Sequence, residues 1–114
     1  MRDITKRFLD IHRAIANIMT SFDEGRQAFN EDEKTQVWVI YHLIVIGEAV
    51  RGLPQIFKDN YPHIPWRQIS GMRDMLTHQY FATDNNIVWA VVERDIPKLK
   101  AVIDVNLNQE NGET

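Results

Sequence analysis

Val37-Trp38-Val39-Ile40-Tyr41-His42-Leu43-Ile44-Val45-Ile46-Gly47-Glu48-Ala49-Val50 is apolar at nearly every position, and only His42, Gly47 and Glu48 interrupt it. The run is too short to span a bilayer, which takes about 20 residues. Just upstream, Asn30 offers an N-cap with Glu33 three residues on, and acidic residues fill the first turn, as in a capping box. The pattern predicts a helix from there to about Gly52. A helix that is apolar all round has to be covered all round. A small bundle covers one side, so the other side is expected to meet a partner. A second copy of the chain is the economical partner.

Working outward, residues 3 to 21 place Ile4, Phe8, Ile11, Ile15, Ile18 and Phe22 at steps of three and four, with Lys6, Arg7, Asp10 and Arg13 between them. That is an amphipathic helix. His12 lies near the edge of its stripe and reads as a partly exposed structural histidine. Ser21 to Phe29, around Asp23-Glu24-Gly25, reads as a turn. On the other side, Pro54 opens a short helix through Asn60. Pro62 and Pro65 force the residues before them to be extended, so Tyr61 to Pro65 is not helical. Trp66 restarts a helix that carries Ile69, Met72, Met75 and Leu76 inward. Gly71 within it costs about 1 kcal/mol relative to alanine, which a close approach of two helices would explain.

After His78 the pattern breaks, and Tyr80 to Thr83 read as a loop. Asp84 caps a last helix with Ile87, Val88, Val91, Val92, Leu99, Val102 and Ile103 facing inward. Pro97 predicts a kink there, with Asp95 as a second N-cap. The expected fold class is all-α: a homodimeric up-and-down bundle of four main helices plus a short one, over residues 1–106. Residues 107–114 are expected to be a polar, frayed tail.

The 114 residues make one domain, small enough to be marginal as a monomer. There is no cysteine, which excludes thiolate metal sites, disulfides and cysteine nucleophiles. A net charge of −3 argues against a general nucleic-acid coat protein, so any RNA contact has to come from a local cluster. The sequence offers no Gly-rich phosphate loop, no His-x-x-x-His pair and no repeat, and no metal or cofactor is expected. Met1 is not followed by a secretory signal, and the expected location is the cytoplasm, away from membranes.

Two groups in the central run call for partners. A carboxylate among apolar residues is costly unless paired, so Glu48 should find Arg73, Arg51 or a backbone N–H. It then serves either as half of a structural buried ion pair or as the group that orients Arg73. His42 is expected to be a satisfied core or interface histidine.

Chemistry concentrates in Arg73-Asp74-Met75-Leu76-Thr77-His78-Gln79-Tyr80. A permanent guanidinium, an imidazole that titrates near neutrality and a phenol can hold a phosphate, move a proton and bind a substrate. On one helix Tyr80 shares a stripe with Arg73, while His78 lies roughly 140° round the cylinder. A single straight helix cannot aim all three at one ligand. Either the helix ends near His78 or a second surface completes the site.

The pattern Arg-x4-His-x-Tyr resembles that of the HEPN domains, specifically the HepT-like toxins of HepT/MntA toxin–antitoxin pairs. Ile46-Gly47-Glu48-Ala49, Ile64-Pro65-Trp66-Arg67-Gln68-Ile69, Gly71-Met72-Arg73-Asp74, Ile87-Val88-Trp89 and Asp95-Ile96-Pro97 extend the likeness, in family order, over residues 4 to 103. The resemblance implies a toxin of a type VII-like system that cuts RNA through Arg73 and His78 at a dimer interface. Tyr80, Asp74 and Glu48 are expected to bind substrate or support them. The resemblance also implies that a cognate MntA nucleotidyltransferase, the antitoxin, silences the enzyme by transferring AMP to Tyr80. Metal-free RNA cleavage needs a base for the 2′-OH, an acid for the leaving 5′-oxygen and a cation for the charged transition state. His78 suits either proton transfer, Arg73 suits the charge, and Tyr80 can hold the phosphate or stack a base. Two further readings stay open: a non-catalytic nucleotide- or RNA-binding partner of a minimal nucleotidyltransferase, and a helical dimer in which these three residues merely satisfy one another.

Overall fold

The computed structural model describes residues 2–78 and 84–110, with side chains at 4–76 and 84–109. Among these there are seven helices: α1 (Arg2–Phe22), α2 (Arg26–Glu31), α3 (Glu33–Arg51), α4 (Gln55–Asp59), α5 (Trp66–His78), α6 (Asn85–Arg94) and α7 (Ile96–Glu110). No strand occurs among the described residues, so the chain is all-α as its periodicity predicts. The central helix α3 packs against α1 on one flank and α5 on the other, and α7 closes on α1. The α1 stripe of Phe8, Ile11, Ile15 and Ile18 is buried against Leu43, Ile46 and Val50 of α3 and Leu99 and Ile103 of α7 in one continuous core. Removing such side chains from water contributes about 1.5–3 kcal/mol each. That burial, more than helix propensity, fixes the arrangement.

The start of α3 differs from the expectation. Asn30 lies inside α2, in a stretch that the pattern assigned in part to a turn, and the N-cap is Asp32. One Asp32 carboxylate oxygen accepts from the Lys34 N–H at 3.0 Å and the other from the Thr35 hydroxyl at 2.8 Å. The hydrogen bond from Thr35 is the main cause that holds this carboxyl below its ordinary range. The extra helix exists because Phe29 is fully buried beside Trp89, with ring centroids 5.3 Å apart, and Phe22 stacks on the same indole at 5.0 Å. Gly25, at φ 94°, makes the reversal between α1 and α2 that a side chain would resist.

Further along, Pro54 precedes α4 with its Asn60 C-cap, and Tyr61–Pro65 is non-helical, as the prolines require. The Trp66 indole N–H is shared by the carbonyls of Lys58 and Tyr61, both at 3.0 Å, and ties α4 to the start of α5. Asp84 caps α6 by accepting from the Asn86 N–H at 2.8 Å. Three expectations for this C-terminal third are corrected. Ile87 faces outward and is half exposed, because it lies in the first turn of α6, before the buried Val88 and Val91. Asp95 is not a side-chain cap: one oxygen accepts from the Arg94 guanidinium at 3.3 Å, and the other has no partner among the described residues. The backbone instead carries the turn, with helical φ and ψ at Asp95 and bonds from Asp95 N–H to Val91 and from Leu99 N–H to Asp95. Finally, α7 continues to Glu110 because Leu107 is buried and holds the end of the helix down. Residues 111–114 lie outside the described residues.

Candidate active site

Arg73 owes its position to a glycine on the neighbouring helix. A Cβ added at Gly47 of α3 would sit 3.0 Å from the Ile69 carbonyl oxygen and 3.1 Å from Arg73 Cβ. The missing side chain lets α5 lie directly on α3 at this level. The close approach had been expected at Gly71, and that expectation is corrected. Gly71 is exposed, and nothing lies within 4 Å of the Cβ it would carry. The inward face of α5 is instead Ile69, Met72 and Leu76, which leaves Gly71 on the outer side.

At the seam the Arg73 guanidinium meets two carboxylates. Arg73 Nε lies 2.7 Å from Glu48 Oε2, and Nη1 donates to Asp74 Oδ1 at 3.0 Å. The other Asp74 oxygen accepts from Arg51 Nη2 at 3.0 Å. The result is an alternating row, Glu48–Arg73–Asp74–Arg51, with two charges of each sign. Asp74 first and Glu48 second hold the Arg73 guanidinium still more firmly protonated than usual. In return Arg73, then Arg51, holds the Asp74 carboxyl below its ordinary range. The side chains are 36% (Arg73) to 56% (Glu48) exposed, so the pairs add little to stability. Their consequence is geometric: two of the three guanidinium nitrogens are held, which fixes the plane of the group.

The pairing of Glu48 with Arg73 was legible in sequence, but the burial was not. Glu48 sits on the uncovered side of α3, and its ion pair is at the surface. Arg51 pairs with Asp74 and not with Glu48, and the sequence reading missed this link. The Glu48-x-x-Arg51 spacing puts both groups on one side of α3, but nothing in it points to Asp74 on the neighbouring helix.

His78 is the last described residue of α5, about 7 Å along the axis from Arg73 and roughly 140° round. Its side chain lies outside the described residues, as does the whole of Gln79–Thr83, Tyr80 included. His42 is buried, at 7% exposure, yet its Nε2 has no hydrogen-bond partner among the described residues, so the expectation of a satisfied histidine is corrected. The rings of Trp38 and Tyr41 meet it edge-on at 4.5 and 5.0 Å, and desolvation pushes its imidazole below the ordinary range. His12 is exposed and lies 3.5 Å from Asp104 of α7, a surface contact far from Arg73 in sequence.

The helix α3 is covered on its flanks by α1 and α5 but not on its outer face. Val37 and Trp38 are 44% exposed there and Tyr41 59%, although the Trp38 indole N–H is spent on the Asn17 carbonyl. Tyr41 and Glu48 are two turns apart on that face, so the apolar strip runs straight to the group that tethers Arg73. No helix among the described residues is long and apolar enough to cross a membrane.

Comparison with known proteins gives a consistent picture. A family model described as ribonuclease HepT-like matches residues 11–105. A Methanocaldococcus jannaschii protein named "Putative RNase MJ0127" is 40% identical over 96% of this chain and 90% of its own length. A Thermococcus cleftensis protein named "Probable ribonuclease HepT" is 49% identical over 60% of this chain and 63% of its own. A second Methanocaldococcus jannaschii protein, "Gamma-glutamylcyclotransferase and putative RNase MJ0434", is 42% identical over 71% of this chain but only 36% of its own length. The chain thus spans somewhat under two thirds of the Thermococcus protein and about a third of the MJ0434 protein. No solved structure matches at a significant level.

Proposed function

The chain belongs to the HepT-like ribonuclease family, and from that premise we propose that it is a metal-independent endoribonuclease, the toxin half of a toxin–antitoxin pair. The observation that carries the reading is the seating of Arg73: a guanidinium fixed in plane by Glu48 and Asp74, at the surface, on the same helix as His78. A fixed and partly exposed guanidinium suits a charge that develops on a phosphate during reaction. In the proposed step the RNA 2′-oxygen attacks the adjacent phosphorus as one imidazole takes its proton. The bond to the 5′-oxygen then breaks, and that oxygen receives a proton from a second imidazole.

One chain supplies one motif histidine, so the reading places two copies about a two-fold axis and both His78 residues at one composite site. The uncovered strip of Val37, Trp38 and Tyr41, ending at Glu48, supports that assembly. Control of the enzyme follows the same logic. A MntA-type nucleotidyltransferase transfers AMP from a nucleotide to the Tyr80 hydroxyl, with loss of pyrophosphate, and the tethered phosphate then competes with RNA for Arg73.

The purified protein incubated with total RNA tests this. The wild type is expected to cut with and without EDTA, while Arg73→Ala and His78→Ala, folded and of native size, fall by at least about 10²-fold. Cleavage by His78→Ala at the wild-type rate, or loss of wild-type cleavage in EDTA, would overturn the assignment. The adenylyl group is expected on Tyr80 by mass spectrometry after co-expression with the cognate nucleotidyltransferase, and a fully modified protein that still cuts RNA would refute the control mechanism.

A further inference from the structure

A groove of about 710 Å³ lies where α4 meets the start of α5, and Gln55, Lys58, Trp66, Arg67, Gln68 and Ser70 are among the residues that line it. No carboxylate lines it. The nearest one in sequence, Asp59, is turned to the Gln55 amide at 2.9 Å. Neither Lys58 nor Arg67 forms an ion pair among the described residues, so no carboxylate there neutralises the two charges that line the groove. Burial already draws the Lys58 ammonium below its usual range, a cost that a bound anion would offset. In a chain of net charge −3 this is a local positive site; beside it the Ser70 hydroxyl is turned to the Arg67 carbonyl at 3.2 Å, which leaves the Gln68 amide as a further donor.

The groove also adjoins the stripe of α5 that leads to Asp74, the partner of Arg73. Arg67, Ser70 and Asp74 share one stripe of α5, with Arg67 and Asp74 about 10 Å apart along the axis. Between them on that stripe lies Gly71, an unfavourable residue for the middle of a helix, with no packing neighbour to explain it. What Gly71 does provide is bare helix surface between the groove and the Arg73 row. A glycine is the residue of choice where a ligand has to approach the backbone closely.

We propose that the α4–α5 groove is a second RNA subsite, in which Lys58 and Arg67 hold the phosphodiester backbone of a single strand that runs along the Gly71 stripe and then round α5, past Asp74, to the Arg73 guanidinium. It deepens the ribonuclease reading and rests on it. The site supplies affinity without base choice, because it reads phosphates through charge.

The test is fluorescence anisotropy of a labelled 12-nucleotide single-stranded RNA on the uncleaving His78→Ala protein. Adding Lys58→Gln and Arg67→Gln together is expected to raise Kd about tenfold and to flatten the salt dependence by roughly 1.4, the loss of two phosphate contacts. Gly71→Leu is expected to weaken binding as well, without lowering the melting temperature. Kd and salt slope equal to those of the His78→Ala parent, in all these variants, would overturn the subsite. If the wild type still cuts RNA in that case, the ribonuclease reading survives alone. A parent that binds no RNA, together with a wild type that cuts none, sinks both. Unchanged RNA affinity with lost binding of the cognate nucleotidyltransferase would reassign the groove to a protein partner and likewise overturn the proposal.

Discussion

Glu48 is the residue on which the geometry of Arg73 turns. Its 2.7 Å contact to Arg73 Nε fixes the guanidinium from the α3 side, while Asp74 fixes it from its own helix. Glu48→Gln keeps the length of the side chain but loses the charge-assisted bond, which is about twice as strong as a neutral one. Cleavage is expected to fall by up to about 10²-fold, with helical content and melting temperature unchanged, since the pair is exposed. Full activity in this variant would show that Asp74 alone positions Arg73. His42 makes a second residue-scale prediction. Its imidazole is held below the ordinary value of about 6.5 by desolvation. Below that value the unfolded chain takes up a proton that the folded chain refuses, so this stability is complete above about pH 6.5 and is lost as the pH falls toward the folded value. Thermal melts from pH 7.5 down to 5 should show the decline. His42→Phe should remove its part of the slope, and an unaltered slope would refute the assignment.

At the scale of elements, two glycines on facing helices have opposite roles. Gly47 is the contact that seats α5 on α3, and a methyl group there meets backbone and Arg73 Cβ, which cannot swing away. Gly47→Ala is therefore expected to cost about 1–3 kcal/mol and to displace Arg73, with loss of cleavage. Gly71 meets nothing, so Gly71→Ala should stabilise α5 by about 1 kcal/mol through helix propensity. Urea melts of the two variants check the pair of signs, and a stabilising Gly47→Ala or a destabilising Gly71→Ala would contradict this packing. The sequence pattern could not rank the two glycines. Both lie in helices at apolar–polar boundaries, and which helix face is covered is a property of the partner helix.

On the scale of the molecule, the bundle measures 43 × 26 × 23 Å, and a strip of α3 remains outside it. Val37, Trp38 and Tyr41 are large apolar or aromatic groups exposed side by side, an arrangement that marks contact surfaces in soluble proteins. Light scattering at micromolar concentration is expected to give twice the chain mass. Trp38→Lys, which places a cation in that strip, should give single chains and reduce RNA cleavage along with dimer content. A wild-type monomer that cuts RNA would dismiss the composite site.

Across the whole chain, periodicity by itself determined the main helices, most of their inward faces and the all-α class, because steps of three and four repeat on one face of a helix whatever surrounds it. The proline breaks and the Asp84 cap are equally local, and they too were legible. The motif stretch states a chemistry through its residue types, and the roles proposed for Arg73, His78 and Tyr80 rest on that. Tertiary structure decided the rest. Phe29 became helical because it is buried under Trp89, and Asp32 displaced Asn30 as the cap of α3. The pairing of Asp74 with Arg51, the exposure of Glu48 and the choice of Gly47 over Gly71 all depend on which face of α3 meets α5. That contact joins residues more than twenty positions apart, and no pattern within one helix encodes the angle at which a second one crosses it.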